Sequence, residues 1–277
     1  MTNDFAIFIM VHGRPEKMWT YQTLRKCGYT GKIYLVADDL DEKVDLYQKK
    51  YKDQLIVFDK KKSALNMDTG DNSGDFRSTL FSANTIFDLA EERGIEYFFI
   101  MCDDYSRFEH KKNLGYKLKT NMVKDLDKVI SVMLDFYKKT PTTTIAFAQG
   151  GDFIGGADSQ MAKQQYKRKA MNTFLCSTKR RFKFMGRLNE DVTTYVNLGG
   201  KGMLFFTISH ISIVQNQHQA QKGGLTNVYL DEGTYIKSFF SVMYNPSCVK
   251  VKEMGESHKR IHHVIHWNNA VPKIIRK

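Results

Sequence analysis

Runs of apolar residues alternate with amphipathic segments through the first hundred residues of the chain. Continuous apolar runs are typical of strands buried on both faces of a sheet, and they predict strands over 5–11, 32–37, 54–58 and 96–102. The segments between them carry apolar residues at helical spacing and predict helices over 16–27, 42–51 and 77–93. This order of strands and helices predicts an α/β fold with a parallel sheet between layers of helices.

The second half of the chain is less regular. Its patterns predict helices over 121–138 and 231–244, strands over 144–148 and 248–254, and an antiparallel strand or hairpin over 203–214. The polar stretch 59–75 predicts a long loop, which is the kind of loop that often serves function. We therefore expect one continuous α/β domain, in which a parallel half, 1–109, precedes a mixed half, 110–277.

The net charge indicates the kind of binding partner, and the cysteine content indicates the cellular compartment. The 277 residues include 42 Lys and Arg against 30 Asp and Glu, and a net charge of +12 favours phosphate-rich partners. The four cysteines form no CxxC pair, which indicates reduced thiols in a cytoplasm rather than a zinc site or a disulfide framework. The first apolar run follows Asp4 and precedes no cleavage site, and no stretch approaches the roughly 20 apolar residues of a membrane span. We therefore expect no membrane partner.

Polar side chains follow the predicted strands where ligands bind in an open parallel sheet. Asp103 and Asp104 follow the fourth strand, and two carboxylates there suit a divalent cation that also grips a diphosphate. The other candidates at this edge or on the helix before the fourth strand are His12, Gly13, Arg14, Asp38, Asp39, Arg77 and Asn84. Arg14 and Arg77 could meet phosphate, and Asp38 could accept a hydrogen bond from a ribose or base. Each of these residues could equally be an ordinary loop or surface charge.

Together these motifs resemble a known family. A first strand ending in HGRP, a second ending in DD, an R-x6-N helix and a DxD-like acidic cluster resemble a GT-A nucleotide-sugar glycosyltransferase. The segment Asn189-Glu190-Asp191, the segment Gln149-Gly150-Gly151-Asp152, and the ending with KRIHH at 259–263 and PKII at 272–275 resemble the phage TET-associated glycosyltransferases. Those enzymes decorate hydroxymethylated pyrimidines in phage DNA.

The resemblance implies a GT-A-like fold and assigns roles to residues of this chain. It implies that 1–109 binds a nucleotide sugar, with a UDP-sugar as the expected donor, and that 110–277 forms the acceptor side. The implied donor-binding residues are Val11, His12, Gly13, Arg14, Asp38, Arg77, Asn84, Asp103, Gly150 and Gly151. The implied metal is Mn²⁺ or Mg²⁺, held by Asp104 with His262 or His263. Cys102 stands where the family's motif usually has its first acidic residue.

The Asn189-Glu190-Asp191 segment is the candidate for acceptor activation. Transfer needs a carboxylate that takes a proton from the acceptor hydroxyl, and we expect Asp191 to be that base, with Glu190 as the reserve. The same three residues also fit a helix start, where Asn caps the first turn and the acidic residues complement the helix dipole. Both interpretations are compatible, because a helix start is a rigid place for a base.

A basic segment precedes the candidate base. Residues 161–187 contain nine Lys and Arg and no acid, with Tyr166, Phe174, Phe182 and Phe184 interleaved. This composition predicts a phosphate track with stacking platforms, centred on Lys179, Arg180 and Arg181, although such runs are also common on plain solvated surfaces. A second basic patch comprises Lys111, Lys112, Lys117 and Lys119.

The sequence therefore predicts a metal-dependent glycosyltransferase that moves a sugar from a UDP-sugar to a 5-hydroxymethylpyrimidine in DNA. A protein or glycan acceptor is the alternative within the same chemistry. A third hypothesis is a nucleic-acid-binding module that has lost catalysis, which the Cys102 departure keeps open.

Overall fold

The computed structural model describes residues 2–163, 166–215, 225–233, 235–255 and 259–270. Its strands are β1 (Phe5–Met10), β2 (Lys32–Asp38), β3 (Leu55–Phe58), β4 (Tyr97–Cys102), β5 (Tyr105–Asn113), β6 (Leu118–Met122), β7 (Thr144–Gln149), β8 (Tyr166–Lys167), β9 (Thr173–Ser177), β10 (Phe205–Gln215), β11 (Val249–Met254) and β12 (Arg260–Ile265). Its α-helices are α1 (Trp19–Lys26), α2 (Val44–Tyr51), α3 (Lys60–Ala64), α4 (Leu80–Glu92), α5 (Leu126–Lys139), α6 (Gln160–Lys163), α7 (Glu190–Gly200), α8 (Thr226–Glu232) and α9 (Ile236–Tyr244).

A large twisted sheet organises the described part of the chain. Its strands lie in the order β3-β2-β1-β4-β9-β7-β10-β5-β6, and β8 pairs with β10. Strands β1 to β4 are parallel, and β9 runs antiparallel between β4 and β7. Strand β10 is parallel to β7 and antiparallel to β5. The predicted α/β class, with a parallel half followed by a mixed half, is therefore confirmed.

Both faces of the sheet are covered, which explains the unbroken apolar runs of the central strands. On β1, Phe8 packs into a core with Phe87 of α4, whereas Ile7 and Ile9 pack into a second core. The second core also contains buried residues of α1, α2 and α5, including Leu24 and Ile130. The sheet is thus sandwiched between α4 and α7 on one face and α1, α2 and α5 on the other.

Several predicted elements have different bounds. The polar stretch 59–75 contains α3, whose first turn is capped by the Asp59 side chain. Helix α4 starts at Leu80 rather than at Arg77, because the Asp75 carboxylate accepts the Arg77 backbone N–H in a turn. The predicted helix 121–138 starts at Leu126, since Leu118–Met122 pairs with β5. Gly233, with φ +84°, interrupts the predicted helix 231–244.

Candidate active site

Strand directions bring the polar segments of both halves to one edge of the sheet. The carboxyl ends of β1, β2, β4, β7 and β10 share this edge with the amino ends of β5 and β9. Residues 12–14, Asp38, the Asp103-Asp104 pair and the Gln149-Gly150-Gly151-Asp152 segment all follow or end strands here. Val11 extends β1 by donating its N–H to the Val36 carbonyl.

The loop after β1 is anchored on β2. His12 Nδ1 lies 3.1 Å from the Asp38 carboxylate, and Lys60 Nζ donates to the same carboxylate oxygen at 3.0 Å. Burial alone would raise the pKa of Asp38, but the hydrogen bonds and charges of His12 and Lys60 hold it below the usual range. Asp38 is 2% exposed and its other oxygen accepts the Leu40 N–H, so it supports the loop and does not face a ligand. His12, 45% exposed, is the accessible member of this pair, and the ribose or base contact at Asp38 stays a prediction.

Gly13 and Arg14 continue the loop. Gly13 has φ +70°, which L side chains rarely adopt, and its N–H donates to the Asp41 carboxylate at 2.7 Å. The Arg14 guanidinium donates from Nη2 to Asp103 Oδ1 at 2.7 Å, which ties the first strand's loop to the acidic pair. Arg14 Nε and Asp103 Oδ2 are buried and have no hydrogen-bond partner among the described residues. This leaves a donor and an acceptor unused at the place where a diphosphate and cation are expected.

The acidic pair after β4 is held by its neighbours. Burial raises the pKa of Asp103 to about 7, because the lowering effect of Arg14 is smaller and Asp104 adds a repulsive charge. Thr20 fixes the turn, since its hydroxyl donates to the Cys102 carbonyl at 2.6 Å and accepts the Tyr105 N–H at 2.9 Å. Gln215, at the end of β10, donates to Asp104 at 3.4 Å.

The candidate base opens helix α7, as predicted. Asn189 is in the left-handed region, with φ +58°, and its side chain does not cap the helix. Its amide instead donates to Ser241 Oγ at 2.6 Å and lies 3.2 Å from His263 Nδ1. The capping interpretation is therefore wrong for Asn189, although α7 begins directly after it. Asn189 joins the start of α7 to α9 and β12.

Glu190 and Asp191 are partly buried side by side at the start of α7. Burial raises the pKa of both carboxyls, and the charge of Asp191 raises that of Glu190 further. The Thr79 hydroxyl, just before α4, donates to Glu190, and Asp191 accepts the N–H of Val192 at 2.7 Å. The positive charges nearest Asp191 belong to Lys237 and Lys169. Carboxyls with raised pKa values are suited to proton transfer near neutral pH.

The two acidic groups share one electrostatic environment. Burial raises the pKa of the Cys102 thiol well above its usual value, and the charges of Asp104, Asp103 and Glu190 raise it further. Glu190 is among these charges, and Cys102 packs against the core that contains Val192, close to Glu190 in the sequence. The start of α7 and the end of β4, which directly precedes the acidic pair, therefore border the same core.

The segment after β7 contributes a glycine surface to the same edge. Gly150 and Gly151 lie in a tight turn whose ends are joined, because Asp152 accepts the Gln149 N–H at 2.9 Å. A Cβ built on either glycine would meet no atom within 4 Å, so both glycines border open space. The Lys169 ammonium forms an ion pair with Asp152.

Two predicted donor-binding residues are engaged elsewhere. Both amide atoms of Asn84 bond the backbone of Phe184, at 2.8 and 3.0 Å, so Asn84 fastens the segment before α7 to α4. Arg77 pairs with Asp75 at 2.8 Å and with Asp231 of α8 at 2.5 Å. The structure thus gives Asn84 a structural role and commits Arg77 to two acids at the acceptor side.

The structure does not assemble the predicted metal ligands. Within the described residues, no group of three or more His, Cys, Asp and Glu side chains is arranged to hold a metal ion. The rings of His262 and His263 on β12 lie 4.3 Å apart, tilted by 37°, and burial lowers the pKa of His263 to about 4. His263 faces Asn189, so the histidines lie by the candidate base and not in a cluster with Asp104. The PKII segment at 272–275 lies outside the described residues.

The predicted DNA-binding triplet lies at the wrong edge of the sheet. Strand β9 runs antiparallel to β4, with Ser177 opposite Tyr97 at the amino end of β4. Lys179 pairs with Glu96 at 2.7 Å, and Arg181 pairs with Asp88 and Glu91. Arg180 donates to three backbone carbonyls, those of Tyr137, Thr140 and Thr142, at 2.7–3.0 Å. The centre of the predicted phosphate track therefore lies at the edge of the sheet opposite the Asp103-Asp104 pair, with its cations bonded to acids or to backbone carbonyls.

The three phenylalanines of that segment are core residues. Phe174, Phe182 and Phe184 are 2–7% exposed, and Phe182 contacts Phe87 and Phe205 with ring centroids 5.3–5.4 Å apart. They pack between β9 and α4 and do not offer stacking surfaces to bases. Burying a phenylalanine stabilises the fold by about 1.5–3 kcal/mol. The phenylalanines interleaved with the cations therefore indicate the core and not a binding surface.

Other residues of the site escaped the sequence analysis. Lys60, Thr79 and Gln215 hold Asp38, Glu190 and Asp104, but no local motif marks them. Arg187 is buried and binds Asp71, Asp75 and Glu232, which ties the polar loop 68–78 to α8. A signal existed for Arg187, since it stands two residues before the Asn189-Glu190-Asp191 segment.

Comparison with known proteins identifies the family. Residues 5–224 match the family described as TET-Associated Glycosyltransferase, and the chain belongs to this family. The resemblance inferred from the motifs is thereby confirmed. No curated protein sequence matches the chain significantly. Among the described residues, no helix combines the length and the apolar character that crossing a membrane requires.

Similar solved structures are distant. TarS 1–349 of S. aureus in complex with UDP is 12% identical with a TM-score of 0.45, covering 87% of this chain and 64% of that one. Glucosyl-3-phosphoglycerate synthase of Mycobacterium tuberculosis with Mg²⁺ and UDP is 4% identical with a TM-score of 0.46, covering 94% of this chain and 87% of that one. The chain therefore spans less than two thirds of the TarS chain.

Proposed function

We propose that the chain transfers a sugar from a UDP-sugar to a 5-hydroxymethylpyrimidine base in DNA. One observation carries this proposal: a partly buried carboxylate pair with raised pKa values, Glu190 and Asp191, opens a helix that borders the same core as the end of β4, directly before the acidic pair Asp103 and Asp104. The first pair suits proton removal from an acceptor hydroxyl, and the second suits a cation and diphosphate. The family to which the chain belongs supports both assignments.

The donor side fits a divalent cation supplied with the nucleotide. Mg²⁺ and Mn²⁺ at such sites take one or two protein carboxylates and complete their coordination with phosphate oxygens and water. Asp104 is the proposed protein ligand, and the unpartnered Oδ2 of Asp103 offers a second acidic oxygen. When bound, the cation would neutralise the leaving diphosphate. His12 and Arg14 supply further positive or donating groups at the same edge.

On the acceptor side, Asp191 is the proposed base and Glu190 the reserve. Deprotonation of the acceptor hydroxyl places the proton on a carboxylate while the hydroxyl oxygen attacks the anomeric carbon and the diphosphate leaves. Thr79 and the Val192 N–H fix the two carboxylates, so neither must be reoriented when the acceptor binds.

DNA is the proposed acceptor rather than a protein or glycan. The family description associates these glycosyltransferases with TET enzymes, and the net charge of +12 suits a polyanion.

The test is mass spectrometry of nucleosides from 5-hydroxymethylated DNA after incubation with the protein, Mn²⁺ or Mg²⁺ and a panel of UDP-sugars. We expect a glycosylated hydroxymethylpyrimidine that disappears with EDTA and with Asp104→Ala. Asp191→Asn should lose about 10²–10⁴ in rate while still binding UDP-sugar. Asp135→Asn, on the exposed face of α5, is the matched control and should keep full activity.

Three results would contradict the proposal in different parts. Full turnover of a metal-stripped sample in EDTA would contradict the proposed divalent cation. An Asp191→Asn rate within twofold of wild type would contradict Asp191 as the base and favour Glu190. Hydrolysis of UDP-sugar without any modified nucleoside favours a protein or glycan acceptor. Absence of hydrolysis and transfer with every donor favours a module without catalysis.

A further inference from the structure

The hairpin formed by β5 and β6 carries cations that the catalytic proposal does not use. Residues 110–120 contain four lysines and no acid. Lys112, Lys117 and Lys119 are exposed, and Tyr116 at the hairpin tip is 86% exposed. We call Lys112, Lys117, Lys119 and Tyr116 the hairpin surface. An exposed aromatic residue among unpaired lysines is a typical composition of nucleic-acid contacts.

The opposite face of the same hairpin is neutralised. Lys111 is only 10% exposed, pairs with Glu109 at 2.8 Å and lies 5.3 Å from the centre of the Phe153 ring. In a strand, neighbouring side chains point to opposite faces, so Lys111 and Lys112 face different sides. The fold thus pairs the lysine on the covered face, and within the described residues it places no acid in ion-pair contact with Lys112 and Lys119.

The open face holds two like charges directly opposite each other. Lys112 pairs in register with Lys119 across the hairpin, and directly opposed like charges destabilise a sheet. Neither lysine has an acid within ion-pair distance in the described part of the chain. Lysine on an edge strand protects against edge pairing, which accounts for Lys119 on β6. Lys112 lies beyond His110, the last β5 residue in register with β10, so the hairpin extends past that pairing at this point.

The cations at 179–181 provide a contrast within the same molecule. Lys179 and Arg181 are bound to acids, and they lie at the edge of the sheet opposite the acidic pair. Strand β5 begins at Tyr105, directly after Asp104, and runs away from the site edge in the same direction as β9, ending at the hairpin surface. Lys112 stands eight positions after Asp104, which corresponds to at most about 27 Å along a strand. Duplex DNA rises 3.4 Å per base pair, so this span equals roughly eight base pairs.

We propose that the hairpin surface binds the phosphate backbone of the duplex whose modified base is the acceptor. This inference rests on the proposed DNA acceptor and adds the surface that holds it. The phosphates would neutralise the opposed Lys112 and Lys119, which removes a repulsion that the free protein carries. Lys112 and Lys119 are thus the residues that the proposal predicts to release counterions on binding.

The experiment compares two double variants for duplex binding across a salt series. Lys112→Ala with Lys119→Ala removes the opposed pair, and Lys179→Ala with Arg181→Ala removes the same charge from cations that are paired with acids. Each phosphate contact contributes about 0.9 to the slope of log K against log salt. We expect the first variant to lower that slope by about 1.8 and to weaken binding several-fold at low salt. We expect the second variant to keep the wild-type slope, because its cations are already paired.

Folding and catalysis are measured separately so that the outcomes can be told apart. The hairpin variant should unfold at the wild-type temperature or slightly above, since it loses a repulsion, and it should hydrolyse UDP-sugar without DNA as wild type does. If both variants show the same slope of log K against log salt, the hairpin surface is not the DNA-binding surface, even if the wild type modifies DNA. Equal affinity of wild type for heparin and duplex at matched charge would also overturn it as a DNA site. If the wild type does not modify DNA, the proposed function is contradicted. The comparison of salt slopes still tests whether the hairpin surface binds duplex DNA.

Discussion

Arg187 joins three acidic side chains from separate parts of the chain, and its removal gives a sharp test of the site's architecture. Its side chain is 3% exposed. It donates to Asp71 at 2.9 and 3.1 Å, to Asp75 at 3.2 Å and to Glu232 at 3.0 Å. The residue stands two positions before Asn189, so these contacts also fix the approach to α7. The perturbation is Arg187→Met, which keeps an unbranched side chain and removes the charge.

The expected loss in the free energy of unfolding depends on whether the three acidic side chains stay buried and unpaired in the variant. Removing one partner of a buried ion pair costs about 3–5 kcal/mol when the remaining charge stays buried. Asp71 and Glu232 are each 29% exposed and can regain water, and Asp75 keeps its pair with Arg77. We therefore expect the lower end, about 3 kcal/mol. The entropy of unfolding of a chain this long converts that into roughly 5 °C of melting temperature.

Thermal and urea unfolding measure the effect, with Lys179→Met as the matched control. Lys179 also forms an ion pair, but its side chain is 73% exposed, so its loss should cost about 0–1 kcal/mol. Sugar transfer should fall in Arg187→Met because the start of α7 loses its anchor. Equal unfolding midpoints for the two variants would refute the argument that burial makes the Arg187 cluster important.

Two further predictions concern the site. Thr20→Val keeps the shape of a fully buried residue but removes the hydroxyl that bonds the Cys102 carbonyl and the Tyr105 N–H. We expect the free energy of unfolding to fall by about 2–3 kcal/mol, and calorimetry should show weaker UDP-sugar binding. Unchanged UDP-sugar affinity would show that Thr20 does not position the acidic pair for the donor. Glu190→Gln should lower sugar transfer but raise the free energy of unfolding at pH 8 by on the order of 1 kcal/mol, because burial raises the pKa of Glu190 and its ionised form is disfavoured in the folded state. A carboxyl whose pKa is raised in the folded state binds more protons there than in the unfolded state. The wild type therefore loses stability as pH rises from about 4.3 through the folded-state pKa, and the extra stability of Glu190→Gln should vanish near pH 4. Extra stability that does not depend on pH would contradict this reasoning.

The parallel half was readable from the sequence because one local property determined it. Strands buried on both faces need continuous apolar runs, and the runs that contain β1, β2 and β4 are such segments. Once those strands are parallel, the residues after them must meet at one edge. The sequence pattern alone therefore places Arg14 beside the Asp103-Asp104 pair, and the 2.7 Å contact between Arg14 and Asp103 agrees with that placement.

The acceptor half depended on long-range pairing that periodicity does not encode. The run Thr173–Ser177 is apolar and buried like the other central strands, but nothing in its sequence tells that it runs antiparallel between β4 and β7. That single reversal sends residues 179–181 to the far edge of the sheet. The chain then returns beside α4, held by Asn84 and by buried Phe182 and Phe184, and only this return brings Asn189-Glu190-Asp191 near β4.

The sequence by itself therefore determined the chemistry available to the protein: the α/β class, the acidic pair, the candidate base and the excess of positive charge. The tertiary structure decided which of these groups work together, because strand direction and burial depend on residues far apart in the chain. Lys112 and Lys179 are alike in sequence terms, as exposed lysines in basic runs. Pairing across the sheet leaves Lys112 opposite another lysine and gives Lys179 a glutamate, so only one of the two remains available to a polyanion.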